Sequence, residues 1–451
     1  MEHVQQVAAH LSPTAQRFLD YVTGDPARTR RLDHLAAGEY FTALQSWPTF
    51  LAAEKLAEIR RATVELTRLV KSIPERFFGN DPRRIAAYYG LPNTALIAIL
   101  LEPPDGLDAV LVRTDSIDTA EGFKCLEVNA GLIGGWQHRF FEQRVRSHPV
   151  IARFLVEEGV RPYHRDPLAT MLQFVIAHNL GKPATAAGVL NVAIAMSERA
   201  AASVEAQLSR TYRDVLHESG SGLSGEVVIC SYADLSPRQN QIWYLDRRPI
   251  QALVHMNSEA PPPQAVFRSF KAGRLTLYNG PINQLLNDKR LLALLSEHAD
   301  SAAFTVEERD VLLRYLPWTR AVGPDAATYR GVTAALPELL VSHREALVLK
   351  PYRGFQGRGV TFGYRTPADS WAKLVAEVVA KGGWLAQERV ESRPYLYQCG
   401  EQGYEIHDVV WGTFCFGDSY GGGFLRMIPR GTGDGVINSA RGATEGVLFE
   451  V

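Results

Sequence analysis

Apolar residues recur at helical spacing through Ala53–Val70, and the pattern from Val4 to about Pro74 reads as mostly helical, with a boundary at Ser46-Trp47-Pro48. Two apolar runs, Val110–Val112 and Phe123–Val128, flank a polar stretch holding Asp118, Glu121 and Gly122, which predicts a β-hairpin. Helical patterns resume over Trp136–Glu158 and Pro167–Ile176, and Thr185–Glu218 reads as one long amphipathic segment. Strand-like runs follow at Glu226–Tyr232, Gln251–Met256 and Leu275–Tyr278, so a small α/β domain is expected there. Within it, Ser236 and Pro237 predict a helix start, with serine as cap and proline at the first position. Asn287–Ala299 predicts a helix with Asp288 as its cap and Lys289 in its first turn. Strands are predicted at Ala346–Tyr352, Val360–Tyr364, Trp384–Val390, Ile406–Cys415 and Gly423–Ile428. The chain therefore reads as a mixed α+β or α/β protein in four segments: a helical region over 1–80, the hairpin with helices over 81–180, the small α/β domain over 181–282, and a strand-rich part over 283–451.

A chain of 451 residues exceeds what one core usually supports, which agrees with several segments. Hydrophobic residues make up 46% and charged residues 22%, ordinary for a globular protein. The formal net charge of -1 supplies no bulk field to recruit nucleic acid or an anionic membrane, and neither partner is expected. The four cysteines, Cys125, Cys230, Cys399 and Cys415, form no CxxC pair, so packing roles and a reducing, cytoplasmic setting are expected. Neither a signal-peptide pattern nor an apolar run of membrane-spanning length is evident.

The hairpin changes the picture most. Pairing its strands sets Arg113 and Asp115 beside Glu127 and Asn129. Glu127 and Asn129 are two apart, so both side chains leave the same face. Two carboxylates and an amide oxygen suit a hard cation such as Mg²⁺, which takes few protein ligands and completes its shell with phosphate and water. Arg113 adds a planar anion donor beside them.

A second constellation begins with Lys350 at the end of an apolar strand, followed by Arg353-Gly354-Phe355-Gln356-Gly357-Arg358-Gly359. Closely spaced glycines let backbone N–H groups close round an anion, and the lysine adds a compact positive charge. The spacing does not match a P-loop, and the next element predicted is a strand, so the glycines are expected in a hairpin loop lying over phosphates. Gln387, on the Trp384–Val390 strand, is a candidate reader of an adenine edge, and the Gly423–Ile428 strand presents Arg426, which read alone is equally an ordinary strand arginine.

Taken together, these motifs resemble the circularly permuted ATP-grasp superfamily, including glutathionylspermidine synthetase-like ligases. Arg113-x-Asp115 with Glu127-x-Asn129 is similar to that superfamily's metal-binding strands. Lys289 and Lys350 resemble its two nucleotide lysines, RGFQGRGV its phosphate lid, Gln387 its hinge strand, Arg426 its strand arginine, and Asn438-Ser439-Ala440-Arg441-Gly442 its closing segment. The metal pair precedes the lysine strand, the reverse of the ordinary order. The resemblance covers about residues 110–450 and implies a permuted ATP-grasp fold, with 181–282 as a pre-ATP-grasp-like domain and 283–451 as nucleotide-binding lobes.

It also implies an ATP-dependent carboxylate–amine ligase working through an acyl phosphate, with ATP and Mg²⁺ as cofactors. In that reading Asp115, Glu127 and Asn129 hold the metal. Lys289, Lys350, Gly354, Gly357, Gly359 and Gln387 bind nucleotide, and Arg113 and Arg426 stabilise the transferring group. The partners are a small carboxylate and an amine, amino acids or a peptide among them. Homodimerisation through the N-terminal helices is a further expectation without residue-level support. A small-molecule kinase and a non-catalytic nucleotide-binding scaffold are the alternatives.

Overall fold

The computed structural model describes residues 7, 11–32, 43–92, 97–98, 101, 107–131, 133–197, 202–256, 261–280, 285–354, 356–399 and 403–451. Val4 and Phe355, which figure in the readings above, lie outside the described residues.

The hairpin forms as its alternation predicts. Strands Leu111–Thr119 and Gly122–Asn129 pair antiparallel with Arg113 opposite Asn129 and Asp115 opposite Glu127. They are one edge of a six-stranded sheet built otherwise from the last quarter of the chain. Tyr404–Phe416 pairs with Leu111–Thr119, followed outward by Ser419–Pro429 and Thr444–Gly446, while Tyr395–Gln398 joins the far part of Tyr404–Phe416. Helix Ala53–Phe78 lies across one face of this sheet. It buries Leu56, Ile59, Leu66, Leu69, Val70 and Ile73 along a 3.6-residue stripe. Where Thr63 meets the sheet, its hydroxyl and that of Thr114 each lie 2.7 Å from the Thr413 hydroxyl, so the polar groups under the helix are paired. Near the C-terminus, Leu448–Glu450 runs parallel to Thr49–Leu51.

A second antiparallel sheet faces the other side of the first. Its order is Thr319–Ala321, Trp384–Glu388, Leu347–Pro351 and Thr361–Phe362. Helices Leu336–Ser342 and Ala368–Lys381 cover its outer face round the fully buried Trp371. Leu347–Pro351 and Thr361–Phe362 pair with each other, so the glycines do lie in a hairpin loop.

The small α/β unit is a parallel sheet ordered Thr276–Tyr278, Ala252–His255, Val192–Ala195 and Val227–Cys230. Asn279, at φ 54°, fastens it to the six-stranded sheet: its Oδ1 accepts from the Leu111 amide and its Nδ2 donates to the Leu111 carbonyl, both at 2.7 Å.

Two expectations fail here. Thr185–Glu218 is not one amphipathic segment: strand Val192–Ala195 precedes helix Ala202–Glu218. Ser236 and Pro237 start no helix. They lie in strand Leu235–Arg238, which turns through Gln239 and Asn240 (φ 49° and 62°) into Gln241–Tyr244. Two successive left-handed residues give the twist that favours a tight hairpin, and proline is tolerated because this strand is at the sheet edge. Among the described residues no helix is long and apolar enough to cross a membrane.

Asn279→Ala removes both partners of the Leu111 backbone. The expected loss of unfolding free energy is about 2–4 kcal/mol, read as a lower denaturant midpoint. A shift below about 0.5 kcal/mol would show that the junction does not depend on this side chain.

Candidate active site

A cavity of about 460 Å³ opens between the two antiparallel sheets. The six-stranded sheet contributes Asp115, Glu127 and Arg426 to its wall, and the four-stranded sheet contributes Lys350 and Gln387. Residues separated by more than three hundred positions thus share one space, because strand alternation directs them from two facing sheets.

Asp115 is the centre of the polar wall. Arg113 donates to it through two nitrogens, Nε to Oδ1 at 2.9 Å and Nη2 to Oδ2 at 3.1 Å. Asn129 Nδ2 donates to Oδ2 at 3.2 Å, and Arg426 Nη2 lies 2.7 Å from Oδ1. Burial alone would push this carboxyl up, but the two guanidiniums outweigh it and hold Asp115 below the ordinary carboxylate range. Arg426 Nη2 is thus held in an ion pair with Asp115, while its Nε is buried without a hydrogen-bond partner. Both guanidiniums rest on Phe424, their Cζ atoms 5.8 Å (Arg113) and 5.5 Å (Arg426) from the ring centre.

Lys289 stands at the cap position of helix Arg290–Glu297, just before its first turn. Its Nζ donates to the Gly354 carbonyl at 2.9 Å and lies 3.2 Å from Glu127 Oε1. Lys350 is buried, and its Nζ donates to Gln387 Oε1 at 2.6 Å. Gln387 in turn donates to Thr319 Oγ1 at 3.1 Å. Burial pushes the Lys350 ammonium down to about 8, with Glu127 opposing the shift and Lys289 adding to it. Around Asp115 and Glu127 stand Arg113, Arg426, Lys289 and Lys350, so cations exceed carboxylates by two. Such a wall suits a multiply charged anion. Val348, Phe362, Val360, Val410 and Ile428 give one part of the cavity an apolar lining, which suits a flat ring, beside the charged Glu388, Arg389, Glu391, Asp408 and Arg430.

The structure places the glycines in three different roles. Gly354 offers its carbonyl to Lys289, Gly357 (φ 68°) lines the cavity, and Gly359 (φ 77°) turns the chain against Pro351 and Trp384. Gln387 lines the cavity, but its amide is spent on Lys350 and Thr319. Arg113 is spent on Asp115 and the Ile133 carbonyl. Three participants carry no individual role in the sequence reading. Thr319 had no local signal, and Arg441 was noticed only as part of a segment. Phe424 precedes Arg426 by two and so shares its face, a signal that alternation does carry.

Among the described residues no group of three or more His, Cys, Asp or Glu side chains is placed to hold a metal ion. The oxygen donors present are Glu127, Asp115 and the Asn129 amide. That set fits Mg²⁺, which needs only one or two carboxylates beside phosphate oxygens. Cys125 and Cys415 are no nucleophiles here, since burial pushes each thiol up to about 12.

No protein-family model matches the sequence, and a search of curated proteins finds no match. Among solved structures, the chain is similar to a glutathione synthetase-like effector (GSS30) from Globodera pallida in its apo form. The TM-score is 0.55 at 11% identity, over 97% of this chain and 96% of that one. The likeness is one of fold: a mixed α/β architecture of the glutathione synthetase-like kind.

Lys350 gives the site a pH signature. The unfolded lysine keeps its proton to about pH 10.4, whereas the folded one gives it up near pH 8. The cost of burying the charge is therefore fully present below pH 8 and fades as pH rises towards 10.4. Lys350→Met is expected to raise unfolding free energy at pH 7 by roughly 1–3 kcal/mol. Calorimetric titration with tripolyphosphate should show wild-type affinity falling from pH 7 to 9 with a midpoint near 8, and no such step in the variant. A flat wild-type profile would remove Lys350 from the anion wall.

Proposed function

We propose that the protein is an ATP-dependent carboxylate–amine ligase with a circularly permuted ATP-grasp core. In this reading residues 81–180 and 283–451 form the core, 181–282 the small α/β companion and 1–80 a helical cover. The observation that carries it is the cavity between two antiparallel sheets, where two lysines, two carboxylates and a buried arginine ion-paired to Asp115 converge from distant parts of the chain.

The adenine ring lies in the apolar part of the cavity, against the backbone after Gln387. Lys350 and Lys289 neutralise the phosphates, Lys289 standing 3.2 Å from Glu127. Glu127, Asn129 and Asp115 would hold Mg²⁺, which would supply positive charge to offset that of the phosphates. Asn129 spends its Nδ2 on Asp115, which reserves its amide oxygen for this task. Arg426, whose Nε lacks a hydrogen-bond partner, donates to the γ-phosphoryl oxygens, where charge spreads in the transition state. Arg113 fixes Asp115 and, through Phe424, the plane of Arg426.

A substrate carboxylate oxygen bonds to the γ-phosphorus as the bond to ADP breaks. The amine nitrogen then bonds to the acyl carbon, phosphate leaves with the C–O electron pair, and the amine loses a proton. No protein nucleophile is required. The glycine loop covers the acyl phosphate against water. The fold likeness to a glutathione synthetase-like protein supports an amide-forming reading over phosphorylation of an alcohol.

The test is ADP release from Mg·ATP in the presence of pooled carboxylic acids and amines, with mass analysis of the product. An amide is expected. A stable phosphate ester would instead establish a kinase, and absence of nucleotide binding a scaffold. Glu127→Gln keeps the side chain's size and is expected to lower kcat about 100-fold or more. Unchanged kcat would remove Glu127 from the metal site.

A further inference from the structure

The glycine loop is held from outside by a residue the mechanism above does not use. Arg441 follows the Asn438 turn and reaches back across the loop. Its Nε donates to the Gln356 carbonyl at 3.0 Å and its Nη2 to the Gly357 carbonyl at 3.2 Å. The remaining Nη1 pairs with Asp434. One planar guanidinium thus holds two successive carbonyls of the loop and one carboxylate of its own segment.

The base of this arm is fixed. Asn438 caps its own turn by accepting from the Ala440 amide at 2.9 Å. Ser439 donates to Glu445 Oε1 at 2.7 Å, and Glu445 is buried against His138 (2.9 Å) and Gln137 (2.8 Å). Burial alone would raise the Glu445 carboxyl, but those partners hold it down at about 2, so the anchor stays charged at any physiological pH. The loop and the arm's segment are also fitted to one another. A Cβ on Gly357 would come within 2.2 Å of Val436, and one on Gly435 within 3.0 Å of Phe362. Arg365 adds a hydrogen bond to the Gly433 carbonyl at 2.6 Å.

The direction of the carbonyls decides what the arm does. In a trans peptide the C=O and the following N–H point opposite ways. Gln356 and Gly357 are both left-handed (φ 58° and 68°), which turns their two successive carbonyls to one side. With those carbonyls drawn to Arg441, the N–H groups of Gly357 and Arg358 are turned to the other side. Gly357 lines the cavity. Paired N–H groups of this kind make an anion-binding concavity.

We propose that Arg441 is a positioning residue that holds the glycine loop with its Gly357 and Arg358 N–H groups directed at the ligand phosphates. It rests on the ATP reading given above. Arg441 touches neither substrate nor the reacting atoms. It acts through the peptide planes of the loop, so that part of the loop's ordering is complete before nucleotide arrives.

The experiment compares wild type with Arg441→Ala and Arg441→Lys. Amide hydrogen exchange over residues 353–360 of the ligand-free proteins reads the hold directly, and about tenfold faster exchange is expected in Arg441→Ala. Titration with Mg²⁺ and a non-hydrolysable ATP analogue is expected to show about tenfold weaker binding in Arg441→Ala, partly restored in Arg441→Lys, while adenosine affinity is unchanged. Because Arg441 is a third exposed, thermal stability should hardly move. In turnover, more phosphate should be released per amide formed, as the less ordered loop admits water to the acyl phosphate. If exchange and analogue affinity match wild type, the Arg441 assignment is wrong and the ligase reading stands. If wild type binds no nucleotide, the ligase reading fails and takes the assignment with it.

Discussion

Asp115, buried between two arginines, is the interaction on which the cavity depends. It joins parts of the chain more than three hundred positions apart, because Arg113 belongs to its own strand and Arg426 to Ser419–Pro429, two strands away. The strand between them carries Gly412 opposite Asp115. A Cβ there would meet the Phe424 ring at 2.7 Å, so glycine makes room for the aromatic plate on which both guanidiniums lie. Removing one member of such a buried set leaves a charge without compensation, a loss of about 3–5 kcal/mol in comparable cases. The clamp therefore acts as a structural rivet and as the floor of the site.

Its surroundings are built against stability in one respect. Lys350 is buried with only a neutral amide in hydrogen-bond contact, and Arg426 Nε has no acceptor. Burial of that kind costs free energy until an anion supplies the missing partner. Local violations of this sort are expected where a ligand completes the structure. The excess of two positive charges over the carboxylates agrees in sign with that view.

Much of this was legible in period alone. The pairing of Arg113 and Asp115 with Asn129 and Glu127 follows from two alternating runs and one turn, and the Lys350 hairpin from an apolar strand, three glycines and a second run. Val192–Ala195 escaped because a four-residue buried strand of Val, Ala, Ile and Ala has no period to separate it from helix. The turn at Gln239 and Asn240 escaped because neither is glycine, though asparagine tolerates the left-handed region. The partnerships Lys350–Gln387–Thr319 and Arg441–glycine loop are tertiary, and no local pattern encodes them. Fold likeness at 11% identity makes the same point, since the arrangement of strands survives where most side chains differ.

The N-terminal helices, which held no candidate chemistry, find their use here. A sheet with a charged cavity on one face must bury its other face well. Helix Ala53–Phe78 does so with a row of Leu and Ile side chains, each contributing roughly 1.5–3 kcal/mol when removed from water. Thr63 answers the one polar row beneath it. The Glu445 backbone extends the support, accepting from the Gln45 amide at 2.7 Å and donating to the Ala43 carbonyl at 2.8 Å. The same residue anchors the turn that carries Arg441. The N-terminal region and the glycine loop are thus connected through one buried residue, by its backbone on one side and its carboxylate on the other. Truncation of the first fifty residues would remove the Ala43 and Gln45 contacts to Glu445 and so loosen the loop from behind, while leaving helix Ala53–Phe78 on the sheet.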